Sequence, residues 1–237
     1  MARTIKEPAV RRSEIIAVAQ RLIFTKGYEQ MTIQDILDEL HISKGAFYHY
    51  FHSKQALLED LLEQLQVAAE QLVLPIVDDP QLPALEKLQR LLSTAGRWKV
   101  DQKTLMLAIL RVWYADENVL VRQKQLAVGL QRVVPLFAAI VRQGVAEGVF
   151  STPYPDQAGE IVFSLGESLA NALAGIILTE PPAPAVSGSK PAPRPLERMQ
   201  AIVCAYNDAF ERVLGAPPGS IVLVEPQALR QWAGEPD

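Results

Sequence analysis

The residues with the most chemical character lie in one short stretch, from Thr32 to Lys54, which reads TIQDILDELHISKGAFYHYFHSK. On a helical period, one face of its second half collects small, aromatic and imidazole groups, Gly45, Tyr48, His49 and His52. Glycine allows a close backbone approach, hydroxyl and imidazole groups reach phosphates or base edges, and the neighbouring Lys44 neutralises phosphate. This face predicts a helix that enters a DNA major groove.

Two short helices joined by a tight turn are predicted to position that face. Thr32 caps the first helix, and Asp35 three residues later fits a capping-box pattern. Ser43 caps the second helix, predicted over residues 44–50. Its other face is predicted to pack inward and holds the aromatic residues Phe47, Tyr50 and Phe51. An ordinary buried two-helix corner without DNA binding is the alternative interpretation of this geometry.

The stretch from Thr32 to Leu57 resembles the TetR/AcrR family of bacterial transcriptional regulators. Members typically carry the phrase T-[IV]-x-x-I-A-x-x-A-G-[VI]-S-x-G-x-[LF]-Y-x-[HY]-F-x-[SN]-K-x-x-L, and the resemblance combines residue types and spacing over 26 positions. The chain departs from it at Leu37, Leu40 and His41, where Ala, Ala and Gly are common, and at His52, which replaces a frequent Lys. The turn position at His41 often needs a positive φ, which His tolerates better than most residues.

The resemblance implies an all-α chain, with an N-terminal three-helix helix-turn-helix DNA-binding domain and a C-terminal helical bundle for ligand binding and dimerisation. It implies a ligand-responsive repressor that binds a pseudo-palindromic operator as a homodimer. Gly45 and Tyr48 would approach the bases. Phosphates or the register would be held by Thr32, Ser43, Lys44, His49, Tyr50 and Lys54. Tyr50 has a second possible place, in the core of the headpiece.

Three other interpretations stay open at this stage. The chain could activate transcription, it could bind DNA without needing a ligand, or it could be a helical interaction module that has lost DNA binding.

The distribution of charge favours DNA contact at one end of the chain. Residues 1–55 hold eight Lys/Arg and six Asp/Glu, a net charge of +2, and the remainder has a net charge of −6. A loose basic arm, Arg3, Lys6, Arg11 and Arg12, begins the chain.

Apolar periodicity predicts helices along almost the whole chain and no sheet. The headpiece, residues 1–55, adds a helix over 8–26, whose core is also supplied by Phe24 and Tyr28. The body, residues 56–237, begins with a long helix that runs to about residue 74 and joins it to the headpiece. Prolines 75, 80 and 83 mark the boundary. The body helices are predicted at 82–97, 101–115, 117–148, 155–180 and 194–214, the third kinked or split by Pro135.

Two segments of the body stand apart from this helical pattern. Residues 181–195, PPAPAVSGSKPAPRP, are predicted to be a flexible linker, because Pro, Ala, Ser and Gly cannot bury a core. The tail SIVLVEPQALRQW is predicted to be a short extended piece and a helical turn or two that pack on the body through Ile221, Leu223, Leu229 and Trp232.

Several classes of function are disfavoured by what the sequence holds. A single cysteine, Cys204, fits a reducing cytoplasm, and the start lacks the apolar region of a signal peptide. The sequence contains no charge-free run of about 18 apolar residues, so it predicts no membrane helix. His49 and His52 lack a third ligand at metal-binding spacing, and no nucleophile site or Gly-rich phosphate loop is present. We therefore expect a cytoplasmic protein that is not an enzyme and has no metal or cofactor.

In the family the body acts as a sensor for a small molecule. The matching helices contain aromatic and Met side chains that make adaptable apolar walls, and the next helix adds an amide. The candidate ligand-binding residues are Trp98, Met106, Trp113, Tyr114 and Asn171. Taken singly, each of these residues is more often part of an ordinary core. Because the body lacks an obvious cationic cluster, an apolar or neutral effector is expected. The resemblance implies a homodimer in which the last two long helices of each copy form a four-helix bundle. Small residues on the helix predicted at 155–180 permit such a close approach, and they fit an internal contact nearly as well.

Overall fold

The structure, a computed structural model, describes residues 8–114, 118–178 and 194–235. These described residues form eleven α-helices and no β-strand, as the all-α prediction required. The helices are α1 Pro8–Lys26, α2 Ile33–Leu40, α3 Lys44–Tyr48, α4 Lys54–Val77, α5 Ala84–Asp101, α6 Lys103–Trp113, α7 Val119–Arg132, α8 Val134–Ala146, α9 Pro155–Leu178, α10 Pro195–Leu214 and α11 Pro226–Ala233.

Residues are grouped by their contacts into two compact units, Met1–Ala68 with Thr104–Gln125, and Ala69–Lys103 with Leu126–Asp237. The predicted division into 1–55 and 56–237 stays a prediction, since compactness groups α6 and the first half of α7 with the headpiece. The predicted linker, residues 181–195, lies outside the described residues except at its last two positions.

The headpiece, in the first unit, has a hydrophobic core to which α1, α2, α3 and the start of α4 all contribute side chains. Helix α1 buries a stripe at helical spacing, which includes Ile15, Ile16, Ala19 and Ile23. The core continues through Ile36 and Leu37 of α2, Phe47 of α3, and Phe51, Leu57 and Leu61. Phe24 was expected in this core, but it is 54% exposed. It follows Ile23 by one position, and one residue is enough to rotate a side chain about 100° away from the buried stripe.

A second cluster in the same unit joins α4 to α6 and α7. Leu58 and Leu62 of α4 pack with Leu105, Ile109 and Val112 of α6 and with Val121 of α7. Asn118 is buried beside them and donates its side-chain amide to the carbonyl oxygen of Val112 at 2.9 Å. This bond satisfies the carbonyl near the end of α6, where no further turn of helix supplies a donor.

The second unit is built on the crossing of α8 and α9. A Cβ atom added at Gly159 of α9 would lie 2.8 Å from the backbone nitrogen of Ala138 in α8, so only glycine permits this approach. Helix α10 packs on α9, and Phe210 is buried there. The large core of this unit also includes Leu88 of α5 and Ile140 of α8.

Two prolines were predicted to interrupt or end helices, and the structure confirms this for one of them and not for the other. Pro135 splits the predicted helix 117–148 into α7 and α8, with the break at Val133, which confirms the prediction. Pro75 lies inside α4, which continues to Val77, so the expectation that it lies beyond the helix end was wrong. Because Pro75 is so close to the end of α4, its missing N–H removes one of the last helical hydrogen bonds and no more.

The C-terminal tail packs on the second unit as predicted. Ile221, Leu223 and Leu229 are buried. The backbone of Val222 exchanges two hydrogen bonds with the side-chain amide of Gln89, at 3.0 and 3.1 Å. The buried carboxylate of Glu211 accepts the N–H of Ile221 at 3.0 Å. Side chains therefore satisfy the extended backbone that a sheet partner would otherwise have to satisfy.

Two stretches, Val119–Ala146 and Pro155–Leu178, are long and apolar enough to cross a membrane by length and composition alone. Neither is the charge-free run that the sequence analysis required, since Arg132 lies in the first and Glu160 and Glu167 in the second. Both also place side chains in the core of the second unit. In each stretch, however, only 28% of the apolar window is buried within the chain.

Candidate nucleic-acid interface

Helix α2 begins with the predicted capping box. The Thr32 hydroxyl accepts the backbone N–H of Asp35 at 3.1 Å, and the Asp35 carboxylate accepts the backbone N–H of Thr32 at 2.7 Å. The same carboxylate lies 2.5 Å from the ammonium of Lys26, the last residue of α1. The hydrogen bond from Lys26, followed by those from Thr32, holds the pKa of Asp35 well below its usual range. Thr32 therefore caps α2, and Asp35 ties the start of α2 to the end of α1.

The turn between α2 and α3 takes a left-handed conformation at His41, with φ 51° and ψ 45°. Among the described residues, His41 is the only non-glycine residue with a positive φ. The backbone N–H of Ile42 donates to the carbonyl oxygen of Leu37 at 3.0 Å, which closes the end of α2. The expectation that this position needs a positive φ is confirmed.

Helix α3 begins as predicted and ends earlier. The Ser43 hydroxyl accepts the N–H of Ala46 at 3.2 Å and so caps the helix. The helix ends at Tyr48 instead of residue 50, because the N–H of Tyr50 bonds to the carbonyl of Phe47, three residues back, in a turn. This turn allows Ser53 to cap α4, where its hydroxyl accepts the N–H of Ala56 at 2.9 Å.

The predicted contact face is exposed. Lys44, Gly45, Tyr48 and His49 are all open to solvent, and the Tyr48 side chain is 44% exposed. A Cβ atom at Gly45 would meet only the Ser43 hydroxyl, at 4.0 Å, so no internal contact requires glycine there. These observations favour a surface that another molecule approaches closely, and they disfavour the buried two-helix corner.

The inward face supports the exposed one. Phe47 and Phe51 are completely or almost completely buried, with ring centroids 5.8 Å apart. The edge of the Tyr48 ring meets Phe47, with centroids 5.5 Å apart. Tyr50 is half-buried against the core, with its ring 4.9 Å from that of His49. Of the two roles considered for Tyr50, this placement favours the core.

Lys54 opens α4 with its ammonium turned to the α1–α2 loop. The ammonium nitrogen lies 4.2 Å above the centroid of the Tyr28 ring and donates to the carbonyl oxygen of Glu29 at 3.3 Å. Phosphate contact by Lys54 therefore stays a prediction, and in the free protein this side chain braces the loop. Tyr28 thus helps to hold Lys54 at the edge of the interface. The sequence pattern did not reveal this role, because Tyr28 and Lys54 are 26 positions apart.

A second brace comes from the expected basic arm. Arg12 belongs to α1, its guanidinium lies 5.3 Å from the centroid of the Phe51 ring, and it pairs with the Asp60 carboxylate at 2.5 Å. Burial raises the pKa of Asp60, although Arg12 acts in the opposite direction. Arg11 pairs with Glu14 at 2.9 Å on the same helix. Both arginines were predicted to belong to a loose basic arm, and the structure instead places each in α1 with a carboxylate partner.

The candidate ligand-binding residues fall in different parts of the chain. Met106 and Trp113 pack against the apolar cluster of the first unit, and the guanidinium of Arg122 lies 5.7 Å from the centroid of the Tyr114 ring. Trp98 is half-buried in α5 and Asn171 is exposed on α9, both in the second unit. A narrow apolar cavity in the first unit is lined by Leu58, Leu62, Ile109, Val112, Trp113, Asn118 and Val121. Of the five candidates, only Trp113 lines it.

A metal centre finds no support in the part of the chain that the structure describes. No group of three or more His, Cys, Asp or Glu side chains there is arranged to hold an ion. Cys204 is a single exposed thiol on α10. The geometry as a whole defines a helix-turn-helix DNA-binding domain followed by a helical body.

Comparison with known proteins identifies this domain. The family model for bacterial regulatory proteins of the tetR family matches residues 15–61. The repressor KstR2 of Mycolicibacterium smegmatis is 36% identical over 59 residues, 25% of this chain and 29% of that protein. An uncharacterised regulator of Bacillus subtilis, YuxN, is 52% identical over 48 residues, 20% of this chain and 16% of that protein. The chain thus covers less than a third of the length of these two relatives.

Solved structures extend the likeness to the body. A TetR-family regulator from Pectobacterium atrosepticum has a TM-score of 0.62 and is 16% identical, covering 91% of this chain and 100% of that one. The structure of a SmeT–triclosan complex has a TM-score of 0.60 and is 15% identical, covering 92% and 98%. At these identities the likeness shows the fold alone.

The DNA-binding domain of this chain is thus of the type found in the tetR family of bacterial regulatory proteins. The fold class, this domain and the resemblance to that family, all predicted from the sequence, are confirmed. The relatives that match this domain are named as transcriptional regulators, which agrees with the prediction that the chain is not an enzyme.

The capping box generates a pH-dependent prediction. Because Lys26 and Thr32 hold the pKa of Asp35 low in the folded state, the carboxylate stabilises the fold above its unfolded pKa of about 3.9, and this stabilisation is lost as pH falls towards the folded pKa. Asp35→Asn should therefore have a lower melting temperature than the wild type at neutral pH. The difference in melting temperature between the two proteins should become smaller as the pH falls from about 4 to about 2.

Thermal unfolding by circular dichroism across that pH range measures the effect. Asp38→Asn is a matched control on the same helix, because Asp38 bonds only to Gln34 among the contacts found, and it should show little pH-dependent deficit. A deficit of Asp35→Asn that stays constant down to pH 2 would contradict the role given to this carboxylate.

Proposed function

We propose that the chain is a ligand-responsive transcriptional repressor that binds a pseudo-palindromic operator as a homodimer. The single observation that carries the proposal is the exposed face of α3, held out from a tightly packed headpiece that matches the TetR-family model. Such a protein works in the cytoplasm, at the chromosome. Relatives with repressor activity, such as KstR2, support the regulatory direction.

The contacts follow from the exposure of each group. Gly45 and Tyr48 would meet base edges, since the backbone at Gly45 is open and the Tyr48 ring projects from the surface. Lys44 and His49 flank them and would meet phosphates. The caps at Thr32 and Ser43 would hold the two helices in register and offer hydroxyls to the backbone of the duplex.

Lys54 and Tyr50 have internal contacts in the free protein, and this limits what each can contribute to DNA binding. Lys54 would exchange the carbonyl of Glu29 for a phosphate while it stays over the Tyr28 ring. Tyr50, half-buried, would mainly hold the position of α3. The net positive charge of residues 1–55 and the net negative charge of the remainder favour an approach to DNA by the headpiece.

The homodimer is proposed to form through α9 and α10. Ile161 is 46% exposed on α9, next to exposed or half-buried small residues such as Ser164. On α10, Ala201 and Ala205 are exposed. An apolar helix of which so little is buried within the chain favours a second copy of the same surface. Two antiparallel pairs would then make a four-helix bundle.

Regulation would work by linkage between a ligand in the body and DNA at the headpiece. An effector that binds better to the conformation with the wrong headpiece spacing weakens DNA binding by that difference in affinity. The apolar cavity beside Trp113, with the half-buried Met106 nearby, has room for about one water molecule, so its side chains would have to move apart to admit a small apolar or neutral effector. Trp98, Tyr114 and Asn171 remain candidate contacts. The SmeT–triclosan complex is an example of a protein of this fold with a small molecule bound.

A binding selection tests the proposed function as a whole. The purified full chain is mixed with randomised duplex DNA at roughly physiological salt, where nonspecific binding is weak. Enrichment of a motif with two-fold symmetry is the expected result, because two identical headpieces read two half-sites. A folded protein that enriches no motif, with or without cell extract as a source of corepressor, would overturn the proposal.

Two adjacent aromatic residues give a matched pair of variants. Tyr48→Ala should weaken operator binding by tenfold or more, because a good base contact contributes about 1–3 kcal/mol, and it should leave the melting temperature nearly unchanged. Phe47→Ala should instead destabilise the headpiece by about 3–5 kcal/mol, because Phe47 is fully buried. Fluorescence anisotropy with the selected duplex and thermal unfolding separate the two effects. Unchanged affinity in Tyr48→Ala would refute the contact.

The effector class is tested by thermal shift with a library balanced between neutral apolar and charged compounds. Neutral apolar compounds should raise the melting temperature, since ligand at about 100 times its Kd adds about 2.7 kcal/mol of stability. Trp113→Ala should reduce these shifts more than Trp98→Ala, because only Trp113 lines the cavity. Stabilisation by highly charged compounds alone would refute this class of effector.

A further inference from the structure

The distribution of histidine in this chain is unusual. The 237 residues contain three histidines, His41, His49 and His52, and all lie within twelve positions of the helix-turn-helix. All three side chains are exposed. Histidine is the side chain that ordinarily changes its charge between about pH 5 and pH 8. All the histidines of the chain therefore belong to the headpiece.

The three imidazoles border the exposed face of α3. His41 occupies the left-handed turn before the helix, and His49 is its C-terminal cap. His52 immediately precedes Ser53, which caps α4. Along the chain His41 precedes α3, His49 ends it and His52 follows it, so the three histidines flank the exposed residues Lys44 and Tyr48 in sequence.

We propose that His41, His49 and His52 bind DNA phosphates in their protonated form, so that operator affinity rises as the pH falls below neutral. This inference rests on the proposed function and adds a form of regulation to the same surface. With neutral histidines, residues 1–55 have a net charge of +2, and protonation of all three raises it to +5. The headpiece charge thus more than doubles where the duplex approaches.

Several charged groups of the elements packed around α3 already have other partners. On α1 and α2, Lys26 pairs with Asp35 and Arg21 with Glu39, and Asp38 accepts from Gln34. On α4, Glu59 pairs with Lys124 and Asp60 with Arg12. The ammonium of Lys44 lies 5.9 Å from the Tyr48 ring centroid, and that of Lys54 lies over Tyr28. None of these carboxylate contacts involves a histidine, so an incoming phosphate is the anion that protonated imidazoles would meet.

The size of the effect follows from counterion release. Each phosphate contact by a cation adds about 0.9 to the slope of log affinity against log salt concentration. Three protonated histidines would therefore steepen the slope by up to about 2.7 per headpiece. The same release corresponds to a gain of roughly tenfold in affinity for each contact at about 0.1 M salt.

The experiment measures affinity and salt slope for the full chain on the duplex obtained by selection, from about pH 8 to about pH 5.5, by fluorescence anisotropy. The wild type should bind at least roughly tenfold more tightly, and with a steeper slope, at the acid end. The triple variant His41→Asn, His49→Gln, His52→Gln should lose this dependence. Asparagine is chosen at position 41 because it tolerates the left-handed backbone there. His52→Lys should bind more tightly than wild type at pH 8.

Two controls identify the source of any pH effect. Asp60→Asn removes the headpiece carboxyl whose pKa burial raises, and it should keep the full pH dependence. Circular dichroism at each pH verifies the fold of every variant. Binding that does not change with pH, or a triple variant that keeps the wild-type dependence, overturns this inference alone. A folded protein that binds no DNA at any pH overturns the proposed function as well.

Discussion

The burial of Phe47 and Phe51 is the interaction on which the DNA-facing surface depends. A helix of five residues has no stability of its own, because nucleation is costly and few hydrogen bonds follow it. The two aromatic rings, packed into the headpiece core from either end of the turn after α3, fix the orientation of the helix. The exposed positions of Lys44, Gly45 and Tyr48 are a consequence of that anchoring.

Contacts between distant segments then hold the headpiece as one piece. Lys26 joins the end of α1 to the capping box of α2, and Arg12 joins α1 to Asp60 on α4. Lys54 braces the α1–α2 loop from the start of α4. Exposed ion pairs are individually weak, but here each one closes a corner between helices whose cores already touch. Their main effect is on the angle at which α3 is presented.

Charge separates the roles of the two ends of the chain. All three histidines lie in residues 1–55, which have a net charge of +2, while the remainder of the chain has a net charge of −6. This difference favours an approach of a duplex to the headpiece over the rest of the chain. The apolar face left exposed on α9 is the surface through which we propose that a second copy of the chain would bind, as a two-fold operator would require.

The sequence by itself determined the helix-turn-helix, its caps at Thr32 and Ser43, the positive φ at His41 and the break at Pro135, because these depend on neighbours within a few residues. Local pattern could not show that Arg12 pairs with Asp60 or that Lys54 lies over Tyr28, since these partners are far apart in the chain. Nor could it separate Trp113, which lines a cavity, from Trp98, which does not. Such choices depend on how helices pack, and only the tertiary structure decides them.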